Sequence, residues 1–197
     1  MHKINLVLPT IDIPTKSYLL DSKNCFTWFS PEWDQEFQSI SPKEFSTRDY
    51  LGQNFFDLLA NPDIKLLYES LFLAARRRKN SIFSISLRCD TPSSKAILDL
   101  NLVKQDHNGL KASFAYTQLE TYTKMGPLLV RKEEELLKMC SWCQDIFDFT
   151  KDRWLPIEQA LVDLSLLHKQ TTAGFTHSCC PRCISIIRGK THAYTGG

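Results

Sequence analysis

The sequence predicts an α+β protein: an antiparallel sheet with flanking helices, followed by a small helical C-terminal module. Three observations predict it. Between Asn61 and Lys79 the apolar residues recur at helical spacing. Between Phe83 and Leu119 three segments alternate apolar and polar residues, the period of strands with one face buried. Near the end, Cys140-Ser-Trp-Cys143 and Cys180-Pro-Arg-Cys183 stand thirty-six residues apart. Two Cys-x-x-Cys pairs are the ligand pattern of a tetrahedral zinc site, each pair holding the ion from one tight turn.

Taken in order, residues 1–20 form an N-terminal arm in which Pro9 and Pro14 bracket Ile11 and Ile13, an extended or poorly ordered segment, with room for a short helix at its end. Cys25-Phe-Thr-Trp-Phe29 is short, aromatic and strand-like, and Ser30-Pro31 ends it. Glu32 to Ile40 suits a second strand or a helical turn equally. Gly52 punctuates the next stretch, and a short helix follows it before Leu59.

The long helix carries its own start signals. Asn61 caps it, Pro62 suits the first helical position, and Asp63 complements the positive end of the dipole. Ile64, Leu67, Tyr68, Leu71, Ala74 and Ala75 make one apolar face. Arg76-Arg-Arg-Lys79 places cations where the last carbonyls are exposed.

In the first of the three strands Phe83, Ile85, Leu87 and Cys89 alternate with polar residues; in the second Ala96, Leu98, Leu100 and Leu102 share a face. Asp106-His-Asn-Gly109 is a turn signal because Asn and Gly tolerate positive φ. The third strand runs from Leu110 to about Leu119, with Ala112, Phe114 and Tyr116 on one face. Gly126-Pro127 marks the exit, and residues 123–138 read as a charged linker helix. Residues 139–189 hold the cysteine module. There 148–152 is a polar turn, and Trp154-Leu-Pro-Ile-Glu158 opens a helix with Ile157, Ala160, Leu161, Leu164 and Leu167 as its stripe. The tail, 190–197, reads as disordered.

A net charge of +2 offers no overall electrostatic case for nucleic acid or membrane. No segment approaches a membrane span, and the apolar run Ile4–Leu8 is too short for a secretion signal. A cytoplasmic home is therefore expected, where paired cysteines ligate metal more often than they form disulfides. Cys140, Cys143, Cys180 and Cys183 are the expected ligands of a structural Zn²⁺, closed to water and so not catalytic. His177 and Cys179 are the candidates to replace one of them. A redox role for Cys140-Ser-Trp-Cys143 would need a strand-to-helix turn in a βαβ unit. No nucleophile elbow, phosphate loop or His-Glu-x-x-His helix occurs, so no enzyme is expected.

Residues 21–122 resemble a PAS domain. The resemblance rests on Leu51-Gly-Gln-Asn-Phe-Phe-Asp-Leu-Leu59, the long helix, and Phe83 to Asp90 with its Arg-Cys-Asp-Thr-Pro, in that order. It implies a sensory or protein-interaction domain, a pocket between sheet and helices whose ligand is unknown, and a possible homodimer through this domain and the linker helix. The last module is similar to a cysteine-containing segment found after sensor or receiver domains in bacterial signalling proteins. Cys140-Ser-Trp-Cys143, Trp154 with Glu158, and Thr176-His177 leading into Cys180-Pro-Arg-Cys183 carry that match; Cys179 departs from it, standing where an apolar residue is expected. Together the two resemblances imply a non-enzymatic signalling or adaptor protein acting on an unidentified protein partner. The alternatives are a zinc-dependent nucleic-acid-binding regulator using Arg76–Arg78, Arg182 and Arg188, and a thiol redox sensor.

Overall fold

The computed structural model describes residues 15–35, 46–78, 81–90, 94–121, 137–164 and 175–192. Its larger layer is a five-stranded antiparallel sheet in the order β2-β1-β5-β4-β3. The strands are β1 (Lys16–Leu20), β2 (Phe26–Phe29), β3 (Phe83–Arg88), β4 (Ser94–Lys104) and β5 (Leu110–Thr121). Helix α1 (Pro62–Arg77) packs on one face, and two 3₁₀ turns, Thr47–Tyr50 and Phe55–Leu58, fill in beside it.

The alternation in the sequence becomes this core. Phe83, Ile85, Leu100, Leu102, Leu110 and Ala112 are buried against Leu67, Leu71, Phe72 and Ala75 of α1. The cap is as expected: Asn61 accepts from the amides of Asp63 and Ile64, with Pro62 at the first helical position. Phe72 is also buried, which widens the apolar face beyond the expected stripe. Residues 32–35 are helical, so the helical reading of that ambiguous stretch holds there.

Four expectations change. The arm over 1–20 ends in β1, an inner strand paired with both β2 and β5; Tyr18 and Leu20 face the core, a two-residue signal too short to stand out beside the prolines. The linker helix falls largely outside the described residues, and Leu137 and Lys138 belong instead to strand β6 (Leu137–Cys140). The last module is not helical alone. It has a four-stranded sheet in the order β8-β7-β6-β9, with β7 (Ile146–Asp148), β8 (Arg153–Leu155) and β9 (Phe175–Ser178), plus helices α2 (Ile157–Asp163) and α3 (Pro181–His192). Strands of three or four residues give no alternation long enough to read. Finally, α3 takes in residues 190–192, the first part of the tail expected to be disordered.

The turn at 106–109 also works differently from its sequence signal. His107 (φ 52°) and Asn108 (φ 62°) take the left-handed conformation, whereas Gly109 does not. Gly109 is needed for space, because a Cβ there would lie 2.9 Å from the Leu20 carbonyl oxygen. Among the described residues no helix is long and apolar enough to cross a membrane.

Candidate metal centre

The first cysteine pair sits on a strand that ends in a tight knuckle. Cys140 closes β6, and its backbone N–H donates to the Asp145 carbonyl at 2.8 Å while the Gln144 N–H returns to the Cys140 carbonyl at 2.9 Å. Gln144 turns the chain with φ of 60°, a left-handed residue that lets the knuckle fold back on itself. The Trp142 amide points at the Cys140 sulfur, 3.5 Å away.

The second pair sits at a helix start. Cys180 immediately precedes α3, Pro181 opens it, and the Cys183 amide donates to the Cys180 sulfur at 3.4 Å. Cys180 thus caps the helix with its thiol, where the positive end of the helix dipole favours a thiolate. The Cys180 amide also donates across to the Cys140 sulfur at 3.3 Å, so the two turns are tied before any ion is considered.

β6 and β9 run parallel and in register, with Cys140 opposite Ser178, which delivers both pairs to one end of the small sheet. The Sγ atoms of Cys140, Cys143, Cys180 and Cys183 all lie within 4.8 Å of one another, with Cys143 and Cys180 at 3.7 Å. A tetrahedral ion with metal–sulfur bonds of about 2.3 Å sets its sulfurs about 3.8 Å apart. All four cysteines expected as ligands are therefore brought together, in a geometry that can hold a metal ion.

The electrostatics follow from crowding. Thiols of Cys143, Cys179 and Cys183 donate to Cys140 and draw it far below the usual thiol range. Cys143 and Cys183 are pushed well above that range, mainly as donors to Cys140. A cation that binds four thiolates takes the place of those shared protons. Four thiolates around a divalent ion leave two negative charges, and Arg182 stands beside them. Its Nη2 donates to Asp145 Oδ2 at 2.9 Å, and contact with Cys143, then Asp145, holds it above its ordinary value.

Neither proposed substitute joins the group. His177 lies on β9, exposed, with its carbonyl accepting from the Asn61 side chain at 2.9 Å. Cys179 is buried in the core and pushed up to about 12, chiefly as a donor to Cys140, so it behaves as a small apolar residue. That accounts for a cysteine where an apolar side chain was expected.

The module does not hang free. Trp142 is buried against α1, its ring 5.5 Å from Tyr68. Its indole N–H donates to the Ser86 carbonyl at 3.1 Å, and its own carbonyl accepts from the Arg88 amide at 2.8 Å. Lys190 of α3 adds a bond to the Ser84 carbonyl at 3.1 Å. Ser84, Ser86 and Arg88 are alternate residues of β3, the outermost strand, so the module covers that strand's outer edge. On the same side the Arg88 guanidinium makes two bonds to Glu158, at 2.7 and 3.2 Å, and Lys95 reaches Glu158 at 3.3 Å.

Sequence reasoning missed these docking residues. Trp142 was visible as a large side chain inside the knuckle, and Glu158 through the resemblance; nothing in the sequence pairs either with β3. The basic run is used differently from a phosphate-binding patch. Arg76 donates to the carbonyls of Asn108 and Asp21, at 2.9 and 3.0 Å, and Arg78 lies over the Phe83 ring at 4.8 Å. Compared with known proteins, the sequence matches no family model and no curated protein.

Proposed function

We propose that the four cysteines hold a structural Zn²⁺, and that the chain is a non-enzymatic signalling or adaptor protein built from a PAS-like domain and this zinc module. Zinc is favoured over other ions because four thiolates at tetrahedral spacing, with no open position, suit an ion that staples a fold. The PAS reading draws support from the order of elements: two strands, short helical turns, one long helix, then three meandering strands in a single sheet.

The observation that carries the proposal is the docking of the knuckle on β3 through Trp142. A change in the sheet reaches the metal module through direct hydrogen bonds and shared core packing, and the reverse holds too. Such a chain acts by altering what its joint surface binds. Two measurements test this. Native mass spectrometry should find one zinc per chain. Cross-linking of the zinc-loaded chain, alone and with proteins of its own cell, should give reproducible links from Lys95 or Lys190 to a second copy or a partner. Those links should vanish in the Cys143→Ser, Cys183→Ser chain; a zinc-loaded chain that associates with nothing contradicts the adaptor role.

A further inference from the structure

The inner face of α1 builds the core, and its outer face carries a second, narrower stripe. Leu66 is 61 % exposed and Leu73 is 50 % exposed. Two helical turns separate them, so they stand nearly in line, about 10 Å apart along the axis. Asp63, Ser70 and Arg77, all exposed, continue the line. The resulting three-four spacing is that of a seam between helices. Single exposed leucines are ordinary on a protein surface; an aligned pair with an opposite charge at either end is not.

The stripe is complementary to itself. Asp63 lies as far before Ser70 as Arg77 lies after it, and Leu66 and Leu73 fall between. A second copy laid antiparallel, about a two-fold axis crossing α1 near Ser70, sets Leu66 against the partner's Leu73 and Asp63 against the partner's Arg77, each contact occurring twice. Among the described residues no side chain pairs with Asp63 or Arg77, so both charges are open to such a bridge.

The crossing point also suits a close approach. Ser70 is small, and its hydroxyl already donates to the Leu66 carbonyl at 2.9 Å, so covering it leaves no unmet donor. Glu69 flanks the axis and meets its own copy there. Lys65, one turn earlier on that side, supplies the opposite charge.

We propose that the chain pairs with a second copy of itself through this outer stripe of α1, antiparallel, with the leucines at the centre and two Asp63–Arg77 bridges at the ends. The proposal deepens the adaptor reading by giving it a partner and a surface, and it rests on that reading for its purpose alone. One helix face on each side covers less than about 1,200 Å² in total, the size of weak, transient pairs. The dimer therefore forms and parts with concentration.

The test is sedimentation equilibrium of the full zinc-loaded chain. Its average mass is expected to rise toward the dimer with a Kd on the order of 0.1 mM, and Leu66→Glu should abolish the rise. Asp63→Arg and Arg77→Asp each turn both bridges into repulsions and should each weaken association about ten-fold or more. An equimolar mixture of these two variants should associate where neither does alone, because an antiparallel pair of unlike chains restores both bridges. Leu66→Glu decides the matter if a charge variant does not fold. A wild-type chain that stays monomeric at about ten times the expected Kd, an association that Leu66→Glu leaves unchanged, or a mixture no tighter than either variant alone would each overturn the proposal. Cross-links from a monomeric chain to a different protein would overturn it too, while leaving the adaptor role standing.

Discussion

The carbonyl of Trp142 accepts from the amide of Arg88 at 2.8 Å, so the cysteine knuckle continues the hydrogen bonding of the large sheet past its last strand. A residue between two cysteines of the cluster thereby serves a strand more than fifty positions earlier. The first predictions concern this joint.

Trp142→Phe keeps most of the packing on Tyr68 but loses the bond to the Ser86 carbonyl. It should cost about 1–2 kcal/mol, against about 3–5 kcal/mol for Trp142→Ala, which also opens a hole in the core. Denaturant unfolding of the zinc-loaded chains measures both, and equal costs would show that the indole N–H contributes nothing.

If the four cysteines hold zinc as proposed, removing it should free the edge of β3. Hydrogen exchange at the Arg88 amide is expected to accelerate when zinc is chelated, while amides at the centre of β4 stay protected. Uniform acceleration across the sheet would mean that the larger domain depends on the metal outright.

Replacing zinc by cobalt should produce the charge-transfer and ligand-field bands of four thiolates in a tetrahedron. Cys143→Ser should alter that spectrum. His177→Ala and Cys179→Ser should not, since neither side chain belongs to the group of four.

Glu158 contributes a pH-dependent link between the domains. Its carboxyl is lowered to about 2 from an ordinary 4.5, chiefly by its bonds to Arg88, despite the partial burial that opposes this. A depressed folded-state value stabilises above the unfolded value and is lost as pH falls toward the folded one. The stability difference between wild type and Glu158→Gln should thus be level from neutrality down to about 4.5, then shrink toward pH 2. The carboxylate is half exposed and screened, so the full difference should be only ~0.5–1 kcal/mol. A difference that grows on acidification contradicts the assignment.

Arg76→Ala should lower stability by about 1–2 kcal/mol, because it releases two carbonyls in separate turns. Arg76→Lys should restore little, lacking the planar fork that reaches both.

Much of this was legible because it is local. Asn61-Pro-Asp63 is a complete helix start, the alternation from Phe83 to Leu102 needs only its own residues, and Cys-x-x-Cys spacing is fixed by ligand geometry. What was not legible is either short or distant. β6 is four residues, the first two of them, Leu137 and Lys138, at the end of a charged stretch that reads as helix, and it becomes a strand because β7 and β9 pair with it. β1 depends on β5, nearly a hundred residues away. The docking of Trp142 on Ser86 and of Arg88 on Glu158 leaves no local trace, since nothing near either residue in sequence names its partner more than fifty positions away.

The covered edge of β3 also bears on how the chain is made. Ser86 emerges from the ribosome 56 residues before Trp142, so the sheet is synthesised with an open flank and closes it last. During that interval the bare strand can pair with another nascent chain. Translation rate, and with it zinc supply if the four cysteines hold that ion as proposed, should therefore govern yield as strongly as the stability of the finished fold.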